Sequence, residues 1–199
     1  GKVPGTVWFL LILCVAVAIT DVWQGLRHHL SGGRIARQVI RTLAYPLLIS
    51  AVVWWAAPLN LPLLVQAALT LALVTPFGPL IYRLAYERLA DATVLVLLIV
   101  SVGVHFALVG LGLFFFGAEG FRNPSFWDER FTLGPLALTG QTLIIFAASL
   151  ALIVCLYLFF ERSLRGKALR ATAVNRLGAR LMGISSTSAG RLSFTMAAF

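Results

Sequence analysis

The sequence predicts an all-α bundle that crosses the membrane several times, on three grounds. Hydrophobic residues make up 60% of the 199 and charged residues 12%, with a mean hydropathy of +0.93. That leaves too little polar surface for a water-soluble globule of this size. The apolar residues also fall in runs near the ~20 residues that a helix needs to cross hydrocarbon, and the charges gather between those runs. The net charge of +9 and pI near 10.8 raise nucleic acid as a partner. Arginines flanking apolar runs instead mark orientation in a lipid bilayer, and no nucleic-acid role is expected.

The predicted spans are 7–23, 39–57, 59–82, 92–117 and 136–160, with a sixth starting near 189, all in one transmembrane domain. Because the chain opens on Gly1 and stops at Phe199 early in that sixth run, it reads as a piece of a longer protein. In the first span, Lys2 resembles the opening of a signal sequence, but Asp21 and Trp23 stand where a small-residue cleavage site belongs, so a retained helix is expected. The second span carries Pro46, which removes a helical hydrogen bond and predicts a kink. Pro58 and Pro62 bracket a tight turn before the third span. Within that span Thr75, Pro76, Phe77, Gly78 and Pro79 predict a bend or break. Such breaks survive in membranes only where protein or a water-lined cavity satisfies the freed backbone. Cys14 and Cys155 fall inside apolar runs without C-x-x-C spacing and read as inert core residues, with no metal site expected.

Loop charges orient the spans. Residues 25–41 carry Arg27, Arg34, Arg37 and Arg41 with no acid, plus His28 and His29, which have no third or fourth ligand at metal spacing. Residues 83–91 balance two arginines with two acids, and 161–180 is strongly basic; the intervening connections are uncharged or mildly acidic. The alternation predicts that the N-terminus lies outside and 161–188 in the cytoplasm. Trp54, Trp55, Phe114, Phe115, Phe116, Phe121, Phe126 and Trp127 then sit at outer span ends, as an interfacial aromatic belt or as a ligand-stacking surface.

The segment 161–188 is the most instructive stretch. Arg162, Arg165, Lys167, Arg170, Arg176 and Arg180 give six positive charges against one negative, Glu161. Residues 167–173 are good helix formers and predict a continuation of the preceding span. Asn175 is a favoured N-cap, and 176–182 make a short helix before Gly183, a natural left-handed stop. Ser185 to Ser188 supply hydroxyls to cap the next helix. By itself such a loop could simply set orientation and bind anionic headgroups.

Residues 165–184, running from Arg165 through Arg170, Asn175, Leu177, Gly178, Ala179, Arg180 and Gly183 to Ile184, resemble the cytoplasmic loop of the permease subunits of bacterial branched-chain amino acid ABC transporters of the LivH type. There the pattern is R-x-G-x-A-x-R-A-x-A, an Asn or Asp cap, then E-A-A-x-x-x-G-I; here Leu177 replaces the Glu and Gly178 the first Ala. Upstream, Tyr82 to Leu89 resemble the family's Y-R-P-L-like turn, with Arg88 at the Pro, followed by a Gly-containing helix and an F-G exit at Phe116 and Gly117. The likeness covers 81–199; the family's N-terminal N-F-A-H-G motif is absent.

The resemblance implies an inner-membrane subunit of an ATP-driven importer. It would pair with a second permease subunit, two cytoplasmic ATPase subunits that hold ATP and Mg, and an extracytoplasmic solute-binding protein. The loop would be the ATPase-coupling element.

His105 reads as the one ionisable group deep in a span, either a pathway or gating residue or a neutral imidazole bonded to a carbonyl or to Ser101. Gln66 either lines the pathway or bonds between helices. Gly103, Ala107 and Gly110 suit close helix packing. No cofactor and no catalysis are expected on this chain: neither Gly-Lys pair completes a phosphate-binding loop, and neither H-E-x-x-H nor G-x-S-x-G occurs. An ion-coupled carrier and a non-catalytic membrane scaffold are the rival readings.

Overall fold

Helix α1 (Gly5–Arg27) supplies most of the core, because Val7, Leu10, Leu13, Cys14 and Val17 recur at helical spacing and are all buried. The computed structural model describes residues 5–27, 32–56, 59, 61–120, 125–127, 129–133 and 136–199. His28, His29, Phe121 and, from the turn read at 58–62, Pro58 and Asn60 lie outside them. Among the described residues the chain is all-α apart from one small hairpin, and it forms two units, residues 1–118 with 190–199, and residues 119–189.

In the first unit α1 packs against α2 (Gly32–Ala56), α4 (Phe77–Ile81) and α5 (Val94–Phe116). Pro46 stands inside α2. The third span is interrupted where the prolines stand: α3 (Leu63–Val74) ends, Thr75 and Pro76 turn, and α4 begins. Thr75 answers with its own helix, its Oγ1 donating to the Leu71 carbonyl at 2.6 Å. A feature absent from the sequence reading follows: a π-helical turn over Tyr82–Tyr86, then a 3-10 turn over Glu87–Leu89. Such single π turns are frequent at functional sites.

The second unit holds the hairpin, β1 (Arg130–Leu133) paired antiparallel with β2 (Leu136–Thr139) in the register Arg130 to Thr139, and then α6 (Gly140–Arg162). Residues 136–139, read as the start of a span, are therefore strand, and the helix starts where Thr139 Oγ1 accepts from Thr142 N. Next come α7 (Leu164–Val174) and α8 (Arg176–Leu181); α9 (Ser186–Ala198) returns to the first unit from Gly190 on.

Among the described residues four segments are long and apolar enough to cross a membrane: Gly5–Gly25, Leu63–Leu89, Val94–Phe116 and Gly140–Arg162; Thr42–Ala56 is a shorter apolar helix. Buried residues make up 39% of the apolar window of the first, and none of that of the third or fourth. A Cβ added at Gly103 or Gly110 would meet nothing within 4 Å, so the small-residue face of α5 is open among the described residues. Cys155, read as a core residue, is exposed on α6, while Cys14 is buried.

Candidate functional site

The basic loop folds as two capped helices. The first is not a continuation of the span: α6 ends at Arg162, Ser163 adopts an extended conformation, and its Oγ accepts from Gly166 N at 2.9 Å to start α7 afresh. A Cβ at position 166 would collide with the Phe159 carbonyl and the Phe160 backbone, so glycine permits the sharp α6–α7 corner. Arg170 Nη1 bridges that corner to Glu161 Oε1 at 2.7 Å. The helix stops at Asn175, whose Oδ1 accepts from Gly178 N at 2.9 Å and starts α8.

The end of α8 is a Schellman closure. Gly183 sits at φ 81°, Ile184 N donates to the Ala179 carbonyl and Gly183 N to the Arg180 carbonyl, each at 2.9 Å. The departure at Gly178 has a local reason, since a Cβ there would stand 3.2 Å from the Asn175 side chain that caps the helix. Ala179 is the buried residue of α8, and Arg180 reaches forward through Nη2 to Ser186 Oγ at 3.0 Å. Leu177, Leu181 and Met182 are 70%, 80% and 82% exposed. Six residues fixed at both ends thus display an apolar patch. Asn175→Ala should lower the stability of α8 by about 1 kcal/mol, read as faster amide exchange at Gly178 and Ala179, whereas Asn175→Asp should restore protection.

The first unit contains a charge cluster that the sequence reading missed. Asp21, 4% exposed on α1, accepts from Arg83 Nη2 at 2.7 Å. Arg83 also donates to Thr42 Oγ1 on α2 and lies 3.8 Å from Glu87, which in turn pairs with Arg191 on α9. The chain Asp21–Arg83–Glu87–Arg191 thereby joins α1, the π and 3-10 turns and α9. Alongside it Phe194 stacks on Tyr82 and Tyr86 at 5.2 and 4.8 Å. The available signal was an aspartate four residues inside the end of the window Gly5–Gly25, which needs a cationic partner. The sequence reading used Asp21 only as a misfit at a cleavage site and sought no partner for it.

The residues singled out in the spans are not brought together. Ser101 Oγ donates to the Leu97 carbonyl at 2.8 Å and accepts from Tyr86 Oη at 3.0 Å, so it ties α5 to the π turn. His105 is exposed on α5 beside Phe106. Gln66 bonds across no helix; its Nε2 donates to the Leu61 carbonyl at 2.8 Å and secures the start of its own helix. Among the described residues no three His, Cys, Asp or Glu gather as metal ligands.

The chain is similar to a known permease. Over 146 residues it is 27% identical to the high-affinity branched-chain amino acid transport system permease protein BraD of Pseudomonas aeruginosa. That stretch is 70% of this chain and 48% of the relative, so the chain spans about half the length of the protein it matches. No protein-family model matches the chain, and no solved structure does. The likeness and the four span-capable helices among the described residues together support a multi-pass membrane protein.

Proposed function

We propose that this chain acts as a permease subunit of an ATP-driven ABC importer for branched-chain or related amino acids, in the bacterial inner membrane. In this reading residues 161–188 face the cytoplasm and the N-terminus faces outward. ATP and Mg bind separate ATPase subunits, this chain catalyses nothing, and a second permease and a solute-binding protein complete the assembly.

The observation that carries the reading is α8. A helix of six residues, stopped by Asn175 and Gly183 and exposing Leu177, Leu181 and Met182, has the form of an element that seats in a groove of another protein. A loop needed only for its charge would gain nothing from a rigid apolar tip. Seated there, α8 would pass the closure of an ATPase dimer to the membrane helices as rigid-body motion.

Gly183→Pro imposes φ near −65° where the chain needs 81°, and Arg180→Glu reverses the charge beside Ser186. In vesicles carrying the full-length assembly, both variants should insert normally, retain ATPase subunits poorly and lose most ATP-dependent uptake. Unchanged uptake in both would overturn the reading. One observation favours an ion-coupled carrier, namely the buried Asp21, whose Oδ2 has no hydrogen-bond partner among the described residues. Its charge, however, is already met by Arg83. ATP-driven uptake should therefore survive collapse of the proton gradient.

A further inference from the structure

We propose that the first unit carries a binding site for the phosphodiester of an anionic phospholipid, in the cavity of about 940 Å³ that opens beside the Asp21–Arg83–Glu87–Arg191 chain. The cavity has a cationic end and an apolar wall. Arg37, Arg83 and Arg191 form the first; Pro46, Pro76, Pro79 and Leu80 form much of the second. The hydroxyls that also line it are committed: Thr75 donates to Leu71, Thr195 to Arg191 and Tyr45 to Ala72, and Thr42 accepts from Arg83. The donors left for a ligand are guanidinium N–H groups, which favour phosphate oxygens.

Charge bookkeeping points the same way. Among the described side chains Asp21 and Glu87 supply two carboxylates against the three arginines, leaving one positive charge. Arg83 is engaged on two sides, whereas Arg37 is exposed and makes no ion pair among the described residues. A single phosphodiester matches both the surplus charge and the vacant donors.

The depth of the site selects a lipid over a free anion. The apolar windows Gly5–Gly25, Thr42–Ala56 and Leu63–Leu89 have Gly25, Thr42 and Leu89 as their ends nearest these arginines, so the cationic groups stand near headgroup level. The prolines and Thr75 lie deeper along the same helices, where glycerol and acyl chains would run. On α2, the helix that contributes Arg37 and Pro46 to the lining, Ile40, Leu47 and Leu48 are exposed and offer the tails an apolar surface. The volume is at the upper end of ordinary ligand pockets, ~300–1,000 Å³, and is far larger than one phosphate needs.

The test is native mass spectrometry of the full-length protein, which reads binding and does not depend on what is transported. Dioleoyl-phosphatidylglycerol, dioleoyl-phosphatidylethanolamine and inorganic phosphate are added in separate arms. The wild type should retain phosphatidylglycerol in preference to the zwitterionic lipid. Arg37→Gln should weaken retention about tenfold, as expected for loss of one charged hydrogen-bond partner, and Arg37→Lys should recover part of it. Equal retention of the two lipids, or no change in Arg37→Gln, would overturn the proposal. So would displacement of the lipid by millimolar phosphate, which would assign the cavity to a soluble anion.

Discussion

Arg83→Met is expected to destabilise the protein by about 3–5 kcal/mol, the range for removing one partner of a buried ion pair. Arg83 and Asp21 have side chains only 10% and 3% exposed, and the 2.7 Å contact between them holds the Asp21 carboxylate. Without the guanidinium, Asp21 keeps a carboxylate in a low-dielectric interior, and Thr42 loses its bond to Arg83. Asp21→Leu should cost less, because Arg83 would still reach Thr42 and lie 3.8 Å from Glu87. The double variant Asp21→Leu/Arg83→Met should be more stable than the sum of the single losses, since an apolar pair of similar volume suffers no orphaned charge. Thermal unfolding of the full-length protein in detergent measures all three. Strict additivity would show that the two side chains do not act as a pair.

The same pair marks the limit of what could be read from the sequence. Helix α5 was plain, because its apolar run ends at Gly117, which changes the backbone; α6 was legible as an apolar run but at neither of its ends. The short helix α8 was also legible, since Asn175 and Gly183 act through neighbours within three residues and such local chemistry is written in order along the chain. Asp21 and Arg83 lie 62 positions apart, and only the packing of α1 against the π turn brings them together. The π turn itself carries no proline or glycine and gave no signal. The hairpin Arg130–Thr139 was hidden because residues 136–139 are apolar and merged with the run that follows. The Ser163 corner went unseen because a good helix-forming stretch on either side made one long helix look natural, although Gly166 was there to permit the turn.

Gly78→Ala should have the second large effect, and its sign separates it from the open glycines inside α5. A Cβ at position 78 would stand 2.9 Å from Ala198 Cβ and closer still to the Phe194 carbonyl, which is backbone and cannot rotate away. Pro76 and Pro79 hold α4 on its side of the contact, so α9 must move instead. Retreat of α9 would pull Phe194 from Tyr82 and Tyr86 and strain the Arg191–Glu87 pair. In a bilayer no water is released to drive helices together, and close packing with polar contacts must hold them. Overpacking of this kind costs about 1–3 kcal/mol, with backbone contacts toward the upper end. Gly190→Ala would put a Cβ 2.4 Å from two ring carbons of Tyr82, a side chain and not backbone, and should be milder. Gly110→Ala meets nothing and should stabilise α5 by about 0.5–1 kcal/mol through helix propensity alone. Unfolding measurements giving the same sign at Gly78 and Gly110 would refute the seating of α9 on α4, because propensity favours alanine at both and only that contact opposes it at one.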